Sequence, residues 1–576
     1  MTERAAHRCF WILLLAGCTS SVGSPGATSG RSAGSGGGGT TGLDPTAGAT
    51  SGSGAVPATS APATSVPATS RAMRLSNSQW EVTIQDLFRL PAPLGLSRSF
   101  VADPGLGAFD TYGGQLLVDA NRWQDYGTAA EAVAKQVAHD PGLLAALAPA
   151  AADTATRKGN FLRDFGLRAF RRPLTVADVA RYSALFDKGA SLIGSGDAFV
   201  DGVELALRAF LQSPNFLYRL ETSANVVGGR VPLSDYEIAS RLSYGLTGSM
   251  PDDAVFAAAA AQKLHDPADV SVQAERLVSM PSGQATALAF HAQLLHLSDY
   301  DQIQKSAANA PAFTAELVPA LKQETLAFVQ NVVYVQDRGI AEMLSAPYTF
   351  ANGSIAALYG ASPSVPASAG GDAFVRLELD PSQRAGFLTQ IGFLAANAVE
   401  QTPSTIPRGV HIAEDILCVP LPAPPANVPP LPALDPNSTN RERVATLTMN
   451  APCSSCHTSL INPLGFALEP LDGLGQYRTT ENGKPIDASG SYNIDGKDVS
   501  FNGPVELMKA LANSQQVHDC YARHLAEFIY GRDLDPNSGA DSALVTQAGA
   551  RAKSMPSAKS LMVALATSDV FLNRAP

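Results

Sequence analysis

The sequence predicts a mostly α protein: a multi-helical scaffold, then a small α domain, with a disordered tether in front. Three observations carry that reading. Apolar residues recur at helical spacing along most of the chain; Leu317, Leu321, Phe328 and Val332 form one stripe, with Lys322, Gln323 and Gln330 facing away. Strand-like patterns are few and short, mainly at residues 374–379 and 491–501. Residues 19–72 are dominated by Gly, Ser, Thr, Ala and Pro, a composition that buries no core.

The chain has 576 residues, 45% of them hydrophobic, which is room for several domains with sizeable cores. Its formal net charge is -11 and no basic stripe is present, so nucleic acid is excluded as a partner. Near the start, Arg4, His7 and Arg8 precede a short apolar run, Phe10 to Ala16, too short to span a bilayer. The run leads into Leu15-Ala16-Gly17-Cys18, which resembles a bacterial lipobox. The resemblance implies a signal peptide over 1–18, lipid on Cys18, export, and a membrane contact through that anchor alone, in the outer membrane or facing the periplasm. The tether follows over 19–72. It carries three x-Pro-Ala-Thr-Ser pentapeptides between Val56 and Ser70, and as a coil would reach about 40 Å.

Order begins at Met73. A polar cap at Ser76-Asn77-Ser78 leads into Trp80, Ile84, Leu87 and Phe88, and residues 128–150 are Ala-rich and helical, giving a first unit over 73–150. A second unit, 151–225, holds a helical pattern over 160–187, broken at Pro173 with Thr175 as a new N-cap, and a buried helix over 200–221. The central unit, 226–419, holds helices over 235–246, 315–335 and 381–398. Seven prolines between Pro420 and Pro432 make 420–436 an extended strap. The last unit, 437–576, starts with a helix through Arg441-Glu442-Arg443 and closes with helices over 503–514, 516–532 and 557–573.

That last unit contains Cys453-Ser454-Ser455-Cys456-His457. CxxCH is the attachment pattern of a c-type haem. On a helical turn, positions i, i+3 and i+4 share a face, so two thiols reach the two vinyl groups of one porphyrin and the imidazole reaches iron. The competing readings are a CxxC disulfide and half of a zinc site, although no second pair of zinc ligands is present. Export favours haem, since covalent haem is attached outside the cytoplasm. Cys453 and Cys456 are therefore the expected anchors of one haem c, with His457 as iron ligand. After the motif, Gly465, Gly473 and Gly475 would admit a flat cofactor, and Phe466, Leu468, Leu471 and Leu474 would line its edge or pack a core. Arg478 reads either as a propionate partner or as an exposed arginine.

These residues carry a family likeness. The chain resembles a multidomain bacterial family of exported cytochrome c-like proteins of planctomycete and myxobacterial type, built of serial domains of unknown function with domain 1592 at the centre. The likeness rests on Arg74 to Phe88, Phe170-Arg171-Arg172-Pro173-Leu174, Leu211 to Glu221, Leu233 to Asp253, Tyr348 to Tyr359, Arg384 to Gln390, Arg408 to Pro425, Arg441 to Gly490 and Cys520 to Leu534. It implies a cytochrome c-like final domain but no defined reaction. Two departures stand out: Leu447 occupies a place where many relatives have histidine, and the chain has a single CxxCH. Met508 lies 51 residues beyond His457, a separation used for the distal methionine in small cytochromes c. His411, His518, His524 and Met449 are weaker distal candidates, and without one the iron is five-coordinate. Cys418 and Cys520 read as a disulfide in an oxidising compartment or as two unrelated buried thiols.

No GxSxG, P-loop, HExxH or helix-opening GxGxxG is present. Asp252, Asp253 and Glu324 read as helix caps and a solvated face. The leading expectation is a lipid-anchored monohaem protein passing electrons in the cell envelope, to a redox partner protein or a small-molecule donor or acceptor. The alternatives are a haem oxidoreductase of peroxidase or oxygenase type with an open iron position, and a haem-free surface binding or assembly protein.

Overall fold

A computed structural model describes residues 72–104, 109–311, 313–314, 316–360, 373–422 and 436–576. Cys18, the tether up to residue 71 and most of the proline strap lie outside the described residues. Helix makes up 58% of the structure and the strands are few and short, so the mostly α reading stands. Among the described residues no helix is long and apolar enough to cross a membrane.

Local chemistry sets many of the helix starts. Ser76, Thr175, Ser234 and Thr439 each open a helix with a capping box, in which the cap hydroxyl and the side chain three residues on satisfy each other's backbone N–H. The helices Asn77–Leu87, Ala120–His139, Thr154–Phe170, Val176–Phe186 and Ala198–Leu211 then enclose one aromatic core containing Trp80, Tyr126, Phe161, Phe165 and Phe210. Residues 218–220, read as the end of a helix, are instead a strand paired with Ala72–Arg74. Ser213 caps a fresh turn at Pro214, and that break turns the chain out of the helix direction.

The larger core runs from Phe109 to Leu572. It joins the central helices Asp235–Thr247, Pro267–Ser279, Pro281–Leu294 and Leu317–Gln330 to the closing helices Pro504–Ala512, Gln515–Tyr530, Gly539–Ser554 and Ala558–Ala566. The final strand, Asn573–Arg574, pairs with Val231–Pro232. The 437–576 stretch is thus divided: its closing helices share the scaffold core, and the CxxCH region sits against a small separate cluster of Ile406, Val444, Ile461 and Phe466.

Two helical readings change. The 381–398 pattern yields only a tight turn at Phe387–Thr389 and a short helix, Ile391–Ala396. Gly386 has φ +63°, and a Cβ there would lie 2.4 Å from the Met343 carbonyl oxygen, so the chain bends where it must pass that backbone. Gly539–Ser554 is a helix that the sequence pattern did not mark, because Ala, Gly and Ser blur its apolar stripe.

Candidate functional site

Cys453 is the N-cap of a single turn, Ser454–Cys456, which runs into a π-turn over His457–Ile461 and then the helix Asn462–Phe466. A π-turn is a costly departure from the α ladder and is frequent at functional sites. Both thiols are free and half-buried. His457 Nδ1 faces Asn462 Oδ1 at 3.0 Å, and Asn462 Nδ2 donates to Thr448 Oγ1 at 2.8 Å. The Asn462 oxygen accepts, so Nδ1 carries the proton and Nε2 keeps its lone pair for a ligand. Burial lowers the His457 pKa from its ordinary value, opposed by the Asn462 bond. A neutral imidazole with one fixed N–H is the state an iron ligand needs.

The turn is held from behind by Thr405–His411, a helix that runs against it backbone to backbone. Added Cβ atoms at Gly409 and Gly465 would lie 2.2 Å from the Ile461 carbonyl oxygen and 2.1 Å from that of Thr405, so only glycine permits this approach. Gly473 and Gly475 likewise approach Glu400 and Ile391, so all three glycines that follow the motif serve contacts within the protein. Arg408, fully buried, uses all five of its N–H groups. They donate to the carbonyls of Asn397 (3.2 Å), Leu468 (3.1 Å), Leu471 (2.7 Å), Leu394 (3.1 Å) and Asp472 (3.0 Å). Glu469, also buried, accepts from Thr405 and from Asn440 Nδ2 (2.8 Å), locking the helix Asn440–Thr448 to the same layer. Burial raises the Glu469 pKa against these bonds.

Other anticipated residues lie elsewhere. Phe466 joins the motif cluster, while Leu468 and Leu471 pack in the scaffold core. Arg478 is neither a free arginine nor directed to an open face: it pairs with Glu481 at 3.0 Å and Glu469 at 3.4 Å. Met508 is fully buried in the scaffold core, in a different cluster from the motif. His518 Nδ1 faces the Ser514 carbonyl at 2.7 Å, and His524 Nε2 lies 3.4 Å from Cys418 Sγ. Met449 sits at the end of the Asn440–Thr448 helix, 64% exposed. Cys418 and Cys520 are disulfide-bonded with Cα atoms 5.4 Å apart, tying residue 418 to the Gln515–Tyr530 helix. Glu324 contradicts the solvated-face reading. It is fully buried, accepts from Thr349 Oγ1 (2.8 Å) and Tyr359 Oη (2.6 Å), and burial pushes its pKa up to about 7. Asp252 is a helix N-cap, as read, and also pairs with Arg276.

Sequence reasoning missed Asn462 and Arg408. Asn462 had a signal, five positions after His457, but only a π-turn brings those side chains together. Arg408 opened a stretch that carried the family likeness, but nothing in the residues marked it as a five-donor clamp.

Five family profiles match in series along the chain. Residues 73–139 match a protein of unknown function, DUF1587. Residues 158–221 match DUF1595, 233–361 match DUF1592, 384–481 match DUF1588 and 497–571 match DUF1585, each described as a protein of unknown function. Cys453 to His457 fall inside the DUF1588 match. No curated protein and no solved structure matches the chain.

Proposed function

We propose that this chain of five serial domains of unknown function is an exported, lipid-anchored monohaem c-type protein that carries electrons in the cell envelope. One observation carries the reading: two free thiols and a neutral imidazole share a single turn, with Nδ1 engaged by Asn462 and Nε2 left free. The residues fit the group. Cys453 and Cys456 would form the thioether bonds, and His457 Nε2 would ligate iron. Bound there, the haem supplies reversible one-electron chemistry. The chain's own contribution is rigidity. Asn462 fixes the imidazole tautomer, Thr448 orients Asn462, and Arg408 fastens the turn's supporting helix to the scaffold. Little movement is then needed between oxidation states.

A second reading, an oxidoreductase with an open iron position, draws support from Met508, whose burial in the scaffold core gives it a packing role. The test is a pyridine haemochrome spectrum on protein produced with the haem-attachment machinery and an export signal. Covalent haem that survives denaturing electrophoresis and vanishes in Cys453→Ala/Cys456→Ala supports the proposal. Colourless exported protein refutes it and leaves the haem-free surface protein. Carbon monoxide binding to the reduced native protein separates the second reading from the first.

A further inference from the structure

A second group of ligand-type side chains lies at the far end of the helix that backs the CxxCH turn. His411 closes Thr405–His411, and Asp415 follows it in a π-turn over Ile412–Ile416. His296 comes from a distant place, the residue before the turn Leu297–Gln302, with φ +52°. That backbone state is uncommon outside glycine. It directs the imidazole at Asp415: His296 Nε2 lies 2.9 Å from Asp415 Oδ2, and His411 Nδ1 lies 3.0 Å from the same oxygen. The three donor atoms all fall within 4.8 Å of one another. Donors bound to one metal at about 2.0–2.2 Å are spaced roughly 3–3.5 Å apart, so the two imidazole–carboxylate separations suit one ion, and the imidazole nitrogens, within 4.8 Å of each other, would close on it.

The surroundings are built for a fixed geometry. The two imidazole rings lie 4.8 Å apart, and Phe393 packs edge-on to His411 at 5.9 Å. Three residues beyond Asp415, Cys418 is bonded to Cys520, and Cys520 Sγ lies 3.6 Å from the Asp415 carbonyl oxygen. The donors therefore sit on pinned backbone, and the side chains keep between 14% and 22% exposure, which leaves a path for an ion. Two histidines and one carboxylate with open positions form a donor set for catalytic or exchangeable first-row metals.

We propose that His296 Nε2, His411 Nδ1 and Asp415 Oδ2 bind one divalent first-row transition-metal ion, zinc or iron(II) in class, with its remaining positions open to water or a small anionic ligand. The proposal is independent of haem attachment, and its test keeps the two apart. The probe is cobalt(II), then zinc, added to the full mature chain carrying Cys453→Ala, Cys456→Ala and His457→Ala, so that no metal is credited to the CxxCH turn. Equilibrium dialysis with elemental analysis should give about one ion per chain, with the visible cobalt band of a nitrogen–oxygen site. His411→Ala and Asp415→Asn should each weaken binding at least about tenfold. Asp415→Asn keeps an acceptor for both imidazoles, so its near-ultraviolet circular dichroism should match the parent's and separate lost ligation from lost fold. No stoichiometric binding by the parent overturns the proposal and leaves a hydrogen-bonded His–Asp–His cluster; so does binding that survives both substitutions.

Discussion

Glu324→Gln tests how the scaffold treats a carboxyl group that it buries completely. Glu324 Oε1 accepts from Thr349 and Tyr359, while Oε2 has no hydrogen-bond partner. Burial outweighs the two hydrogen bonds and the nearby Arg384 charge and lifts the pKa from its ordinary 4.5 to about 7. Below pH 4.5 folded and unfolded chains both hold the proton, and the group leaves stability untouched. Between 4.5 and about 7 the folded chain keeps a proton that the unfolded chain has lost, so stability falls as pH rises. Above that window the loss is complete. At about 1.4 kcal/mol per pKa unit the loss approaches about 3 kcal/mol. Glutamine keeps an acceptor for Thr349 and Tyr359 without the titration. Urea midpoints of parent and Glu324→Gln, measured from pH 4 to pH 8, should diverge across this window, with the variant gaining up to about 3 kcal/mol relative to the parent. A difference that stays constant across that range would refute the reasoning.

Arg408→Lys should destabilise by about 3–6 kcal/mol: lysine has three donors where arginine serves five carbonyls, so at least two charge-assisted hydrogen bonds are lost at about 1.5–3 kcal/mol each. Denaturant melts followed near the CxxCH turn read this, and a loss below about 1 kcal/mol counts against the clamp. Cys418→Ser opens a bridge spanning 102 residues of sequence, and chain entropy for a loop near that size predicts a loss of about 4–5 kcal/mol, measurable as a lower melting temperature matched by dithiothreitol in the parent. Asn462→Ala removes the bond that raises the His457 pKa against burial, so the haem-free protein's imidazole should titrate at lower pH in a proton NMR series.

Local chemistry was the legible part of the sequence. Ser76, Thr175 and Ser234 announce their helices because a cap needs only a side chain and three following residues. CxxCH was legible for the same reason, its spacing being set within one turn. What stayed hidden depends on distant backbone. The strand at 218–220 exists because residues 72–74 arrive beside it, and Gly386 bends the chain because Met343 and Leu344 pass close by. Glu324 occupies a position that a helical wheel allows to face outwards, yet Tyr359 and Thr349, brought from a later turn and strand, close over it.

Both candidate sites adjoin the Thr405–His411 helix. Ile406 and Val410 pack in the motif's cluster, Arg408 fastens the helix to the segment that follows the motif, and His411 faces Asp415 at its end. Seven residues therefore serve three tasks, which leaves the helix little freedom to shift for one task without disturbing another. Each site then introduces its own irregularity beyond this element, a π-turn at 457–461 and another at 412–416. The π spacing brings Asn462, five positions on, under His457, whereas Asp415 meets His411 at the ordinary i,i+4 spacing and His296 from across the fold. Thr405–His411 thus contacts the CxxCH turn through Gly409 and carries His411 of the other cluster, so both sets of donor atoms depend on its placement. A substitution that loosens it, Arg408→Lys above all, should therefore weaken cobalt binding at the His–Asp–His cluster as well as disturb the CxxCH turn, whereas Asn462→Ala should affect the turn alone.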